Sequence, residues 1–268
     1  MLSEAQIQEY RENGCLLVSG IFSDNELDRL EKEFDGIIER RLANKAQLDA
    51  TWEGSWKKGQ PKTQILHTHD VQAYSAEWAK VLVHDRFTEV ISELMGSPNV
   101  QLHHTKLFQK PQEKGSGFPM HQDYPYFPHE NHTMMAGIIH ISDATEEMGC
   151  VRVYPGTHKQ GPLPCFEHNH LNPEEWPLEK ATSCPAKRGD VLFFNYLTIH
   201  GSGINASDRL RKTVLVQVRD PLDKPLEDTH RSHAQGLIMR GVHPLQGEAV
   251  AVGTLGSGVS EAAPSVPS

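Results

Sequence analysis

From Val100 to about Val218 the apolar residues come in short runs, most of them closed by clusters of Gly, Pro, Asp or Asn. Such runs are too short for helices that bury a face, and turn-forming residues at the breaks suit strands that double back. Strands are predicted near Gln101–Gln109, Thr133–Ile141, Val151–Tyr154, Val191–Asn195 and Thr213–Val218. The connectors EKGSGFP, DATEEMG, PGTHKQGP, KRGD and GSGINASD carry the turn residues, and His168 to Lys180 forms a longer polar insert. Before Val100 the texture differs. Ser3-x-x-Gln6 and Ser23-x-x-Glu26 fit capping boxes that open two helices. Leu27, Leu30, Phe34, Ile37 and Ile38 then recur at helical spacing as a core stripe, and Cys15 to Val18 suits a strand. A third helix is predicted from about Ser75 to Met95, with Trp78, Val81, Leu82, Val90, Ile91 and Leu94 on its apolar side and Gly96 as its stop.

These elements read as one domain over residues 1–246, with a helical buttress over about 1–98 and a β core over about 100–220. Residues 247–268 hold too few large apolar side chains to bury anything and are expected to be a disordered tail. Residues 50–62 are polar and broken by glycine but carry Trp52 and Trp56, which makes them a candidate lid. No window approaches the roughly 18 consecutive apolar residues of a membrane span, and MLSEAQIQEY lacks the features of a secretory signal. A cytoplasmic location is expected. The formal net charge of −9 argues against a nucleic-acid or anionic-membrane partner and leaves a small molecule. Cys15, Cys150, Cys165 and Cys184 show no C-x-x-C spacing and are expected to be buried thiols.

The stretch HQDYPYFPH, His121 to His129, concentrates the candidate chemistry. With 16 His among 268 residues, one His-x-Asp triplet is expected by chance about once, so the triplet needs partners. On an extended segment His121 and Asp123 would point to the same face. A non-haem Fe(II) oxygenase site needs two imidazoles and a carboxylate on one face of the iron. His200 is the best third ligand, because FFNYLTIHGSG places it at the end of an apolar strand, before a glycine-rich turn that would let a metal or ligand approach the backbone. Either histidine could instead be an ordinary turn residue. Arg211 opens the strand RKTVLVQV, where a guanidinium inside a barrel needs a carboxylate partner such as a dicarboxylate cosubstrate, which the Ser202 hydroxyl could also bind. The bland reading of Arg211 is a surface side chain, like Arg209 and Lys212 nearby.

Together HQDYPYFP, MGCVRVYPGTHKQGPL and RGDVLFFNYLTIHGSGINASDRLRK resemble the phytanoyl-CoA dioxygenase family of Fe(II)- and 2-oxoglutarate-dependent oxygenases, over about residues 100 to 220. The resemblance implies a mainly β fold with N-terminal helices, a double-stranded β-helix (jelly-roll, cupin-like) barrel. It implies iron ligands His121, Asp123 and His200, with Arg211 gripping the distal carboxylate of 2-oxoglutarate and Ser202 assisting. Gln122 stands where relatives contact substrate or cosubstrate, His104 and Lys106 lie on a strand that lines the cosubstrate side, and His158 in PGTHK is structural. The implied cofactors are Fe(II), 2-oxoglutarate and O2, and the products are succinate, CO2 and a hydroxylated small molecule. Asp123 favours hydroxylation over halogenation, because halogenating relatives replace that carboxylate. Where several relatives carry tryptophan this chain reads MMAGIIHIS, so the substrate does not transfer by analogy. Tyr124, Tyr126 and Phe127 suit an apolar or ring-containing molecule; an acyl-CoA, with Lys57, Lys58 and Lys62 meeting its phosphates, is the alternative substrate. A metal-dependent hydrolase and a catalytically inactive jelly-roll binding protein are the rival functions.

Overall fold

Both capping sites open helices. In the computed structural model α1 (Glu4–Asn13) follows Ser3, whose hydroxyl accepts the Gln6 N–H while Gln6 reaches back to the Ser3 N–H. It is followed by β1 (Cys15–Val18) and α2 (Asp24–Ala43), where the Glu26 carboxylate accepts from the Ser23 N–H at 2.8 Å. The five predicted core positions of α2 are all buried. Residues 1–43, 67–111 and 117–245 are described; the candidate lid over 50–62 and the tail over 247–268 lie outside the described residues. After β2 (His67–His69) and α3 (Val71–Tyr74), the single helix predicted from Ser75 to Met95 is two, α4 (Ala76–Val81) and α5 (Asp85–Met95). His84 is extended and its Nδ1 accepts the Phe87 N–H at 3.3 Å, which starts a new helix where propensity alone would continue the old one. The apolar side still lies buried on both pieces.

The remaining strands are β3 (Val100–Lys110), β4 (Phe118–His121), β5 (Met135–His140), β6 (Val151–Tyr154), β7 (Thr182–Cys184), β8 (Val191–Asn195), β9 (Ile199–Ser202), β10 (Arg211–Arg219) and β11 (Ile238–Arg240). They form two antiparallel sheets, one ordered β1-β8-β5-β10-β3-β11 with β2 also on β3, the other β4-β9-β6-β7. This is the expected double-stranded β-helix, a jelly roll with helices against one sheet. All five predicted strands are present. The strands that went unpredicted in the β core have three or four residues, too few for a periodic pattern to stand out.

The large sheet is covered on both faces, and β10 shows how. Val214, Val216 and Val218 are at most 1% exposed and join the helix-side core with Phe34, Phe87 and Ile91. Burying such a side chain stabilises the fold by roughly 1.5–3 kcal/mol. Their neighbours Arg211, Thr213, Leu215 and Gln217 point the other way, into the barrel. At Gln217/Val218 the β10–β3 register shifts, so Gln217 faces His104 and Val218 faces Leu102. His103 is the extra residue of this bulge. The break in alternation brings neighbouring imidazoles into contact, with His103 Nδ1 2.7 Å from His104 Nδ1.

No helix among the described residues is long and apolar enough to cross a membrane. All four cysteines are free, but only Cys150 is fully buried. Cys165 is exposed, contrary to expectation, because it lies in the irregular stretch after the 3-10 turn at Thr157–Gln160 rather than in a strand.

Candidate active site

β4 ends on His121, and β9 carries His200 directly opposite in the antiparallel register. Cross-strand partners hold their Cβ atoms roughly 5 Å apart, and here the ring centroids are 4.3 Å apart. Asp123 does not continue β4. Its backbone is helical (φ −76°, ψ −21°) where a 3-10 turn over Tyr124–Tyr126 begins, and its N–H donates to Tyr196 O at 2.9 Å. A strand end and a turn thus replace the extended geometry expected for His121 and Asp123. They still converge: Asp123 Oδ1 lies 3.6 Å from Nε2 of His121 and 3.6 Å from Nε2 of His200. His200 also departs from its expected place at the end of an apolar strand. β8 stops at Asn195, the chain turns, and His200 lies inside β9 in the other sheet.

Both imidazoles are oriented by backbone carbonyls. His121 Nδ1 is 2.8 Å from Pro119 O and His200 Nδ1 is 2.9 Å from Thr198 O. Placing a proton on each Nδ1 leaves both Nε2 lone pairs facing Asp123. Burial, reinforced by His121, pushes His200 down to about 4, so its ring is neutral at neutral pH. For Asp123 burial acts upward, but the positive charge that the facing rings of His200 and His121 carry when protonated outweighs it and holds the carboxyl below its ordinary value. The three ligand atoms lie within 4.8 Å of one another, and among the described residues no other His, Cys, Asp or Glu group is so arranged. Two imidazoles and a carboxylate fit the donor set of a non-haem Fe(II) centre. Zinc accepts similar donors, so the surroundings must discriminate.

The triad opens into a cavity of about 300 Å³. Ile138, Val151, Phe194 and Leu215 form an apolar wall, and Arg211, Ser202 and Thr213 form a polar one. Arg211 is 5% exposed and donates through Nη1 to the carbonyl of Gly149, while its Nε has no partner. Burial lowers it to about 10, still protonated. No carboxylate among the described residues pairs with it. Six residues further along β10, roughly 20 Å at strand spacing, Gln217 faces His104 in register, and His104 and His230 line that part of the cavity. Their ring centroids are 4.4 Å apart.

The family model described as phytanoyl-CoA dioxygenase (PhyH) matches residues 10–213, a span that contains the triad, Ser202 and Arg211. The chain belongs to the phytanoyl-CoA dioxygenase family. It is a 2-oxoglutarate-dependent non-haem iron dioxygenase. A probable phytanoyl-CoA dioxygenase of Caenorhabditis elegans is 30% identical over 239 residues, covering 80% of this chain and 74% of that one. The peroxisomal phytanoyl-CoA dioxygenase of Bos taurus is 28% identical over 236 residues, covering 82% and 69%. Among solved structures, EctD from S. alaskensis with bound Fe superposes with a TM-score of 0.72 at 20% identity, covering 90% of this chain and 87% of that one.

Within this family member the expected residues divide. His121, Asp123, His200, Ser202, Arg211, His104 and Lys106 all line the cavity. Gln122 does not, contrary to its expected contact with substrate or cosubstrate. It is 1% exposed, its Nε2 donates to Leu197 O (2.7 Å) and Gly161 O (3.0 Å), and its Oε1 accepts from Leu163 N (2.8 Å). Side chains alternate about the strand end, so a residue between two inward-facing side chains faces the loops behind them. Of the aromatic trio, Tyr126 and Phe127 line the cavity, whereas Tyr124 packs on Tyr196. His158 meets Arg11 O at 3.2 Å, a structural contact. Thr213 and His140, which went unremarked in the sequence, also line the cavity. Thr213 was recoverable from Arg211 by strand period; His140 needed the pairing of β5 with β10.

Proposed function

We propose that His121, Asp123 and His200 hold Fe(II), that Arg211 and Ser202 hold the distal carboxylate of 2-oxoglutarate, and that the rest of the cavity admits a small organic substrate for C–H hydroxylation. One observation carries this reading: a buried, protonated arginine without an acidic partner among the described residues shares the cavity with the triad. A hydrolase with the same donors has no use for it, whereas a dicarboxylate supplies the missing anion. The bound iron would supply O2 activation coupled to oxidative decarboxylation of 2-oxoglutarate to succinate and CO2.

The protein's share is positioning. Arg211, held by Gly149 O, presents its remaining N–H groups to a carboxylate, so the oxo-acid end is directed toward the triad. Ile138, Val151, Phe194 and Leu215 keep water from the reacting centre. Tyr126, Phe127, His104 and His230 also line the cavity, which suits a mainly apolar molecule with one polar group. A cavity of about 300 Å³ is small, so only a compact part of the substrate reaches the metal.

The test is metal content measured beside turnover. Wild-type protein is expected to bind one Fe(II) per chain and to release succinate from 2-oxoglutarate. His121→Ala, Asp123→Ala and His200→Ala should each lower iron occupancy and succinate release together. Full occupancy in His200→Ala would place the third ligand elsewhere, and turnover with zinc in the absence of 2-oxoglutarate would establish the hydrolase.

A further inference from the structure

Behind Ser202, outside the cavity lining, lies a second buried cation. Lys110 is the last residue of β3, 3% exposed, and its Nζ donates to Ser202 Oγ at 2.8 Å and to Gly203 O at 2.5 Å. The face of the Phe118 ring lies 5.1 Å away. No acidic side chain among the described residues pairs with it. In the β3–β10 register Lys110 stands directly opposite Arg211, so two cations occupy neighbouring positions in the barrel wall. Like charges directly opposite on paired strands are destabilising. Burial, then Arg211, pushes the Lys110 amine well below its ordinary value, so its charge is held at least cost when an anion lies beside it. An arrangement with this cost calls for an anion between or beside the two groups.

We propose that Lys110 is a positioning residue of the cosubstrate clamp, which fixes Ser202 as a hydrogen-bond donor and adds a second positive charge that selects a distal carboxylate. The inference rests on the reading that Arg211 and Ser202 hold that carboxylate. A serine hydroxyl has one proton and two acceptor sites. Because Lys110 donates to Ser202 Oγ, the hydroxyl proton is directed away from Lys110, and Ser202 lines the cavity that Arg211 also lines. A lysine in this place therefore does two things: like any donor it sets the sense of the Ser202 hydrogen bond, and unlike a neutral donor it deepens the positive potential at the clamp. Lys110 touches neither the cavity nor the triad, so its action on the oxo acid runs through Ser202 and through charge.

Calorimetric titration of Mn(II)-loaded protein separates this role from simple bracing of β3 against the turn at Gly203. N-oxalylglycine carries the distal carboxylate; oxalate carries only the chelating end. Lys110→Met is expected to weaken N-oxalylglycine about tenfold and to leave oxalate within about twofold. Lys110→Gln, which keeps a donor but no charge, should show a smaller loss with the same selectivity and covers the case in which the methionine variant fails to fold. The combined loss in Lys110→Met with Ser202→Ala should fall short of the product of the single losses. Equal weakening of both ligands, or unchanged N-oxalylglycine affinity, overturns the proposal. Arg211→Ala is the control: if it leaves N-oxalylglycine affinity intact, the clamp reading itself fails, whereas loss there without loss in the Lys110 variants defeats only the role of Lys110.

Discussion

His121 and His200, the proposed iron ligands, are oriented by carbonyls two residues earlier in the chain, Pro119 O and Thr198 O. This i−2 bond is local, repeated on both strands, and independent of side-chain identity at the donor of the carbonyl. Gln122 shows the opposite dependence, because its amide ties the ligand turn to Leu197, Gly161 and Leu163. Gln122→Met leaves two carbonyls and one N–H without this partner; a buried unsatisfied group such as the Leu197 carbonyl costs about 1–3 kcal/mol, and the half-buried Gly161 and Leu163 groups, which water can reach, cost less. The expected outcome is a loss of about 2–4 kcal/mol in urea unfolding, with 2-oxoglutarate affinity of the folded protein changed by less than about twofold. A large affinity loss with unchanged stability would return Gln122 to the cosubstrate site.

At the scale of elements, the site depends on how closely β4 lies on β9. A Cβ placed on Gly201 would come within 2.7 Å of Phe118 O and 2.7 Å of Met120 Sδ. Gly201 therefore serves the approach of one backbone to another, rather than the approach of a metal or ligand expected from HGSG. Gly149 acts similarly: with φ +66° it packs under the 203–204 backbone while its carbonyl accepts from Arg211. Gly201→Ala should push β4 off β9, destabilise the protein by about 1–3 kcal/mol and weaken Fe(II) binding, since His121 and His200 ride on those strands. Denaturant unfolding and iron titration read the two effects; normal iron affinity in the destabilised variant would show that the strand spacing does not control the ligands.

For the molecule as a whole, a chain of formal net charge −9 encloses an interior rich in imidazole. His103 and His140 are each 1% exposed, and burial lowers them to about 3 and about 4. Below the ordinary histidine value the unfolded chain takes up protons that the folded chain refuses. Stability is thus complete above about pH 6.5 and falls as pH drops toward the folded values, by up to about 1.4 kcal/mol per pH unit for each such histidine. Urea midpoints should decline between about pH 6.5 and pH 5, and His140→Gln should flatten the slope by one histidine's share. A midpoint constant across that range would contradict the burial of neutral imidazoles.

Much of this protein was determined locally. Helix starts at Ser3 and Ser23, the α2 stripe and the five predicted strands follow from caps, periods and turn residues within a few positions of one another. The order of His121, Asp123, His200 and Arg211 was legible for the same reason, each lying in a recognisable local motif. Only the tertiary structure decided which sheet His200 joins, that Asp123 sits on a turn, that Gln122 faces the loops, and that Lys110 reaches Ser202 across 92 positions of sequence. The physical reason is register. A one-residue slip turns a side chain to the opposite face of a sheet, and the pairing of β3 with β10 and of β4 with β9 is set by packing of the whole barrel rather than by neighbours along the chain.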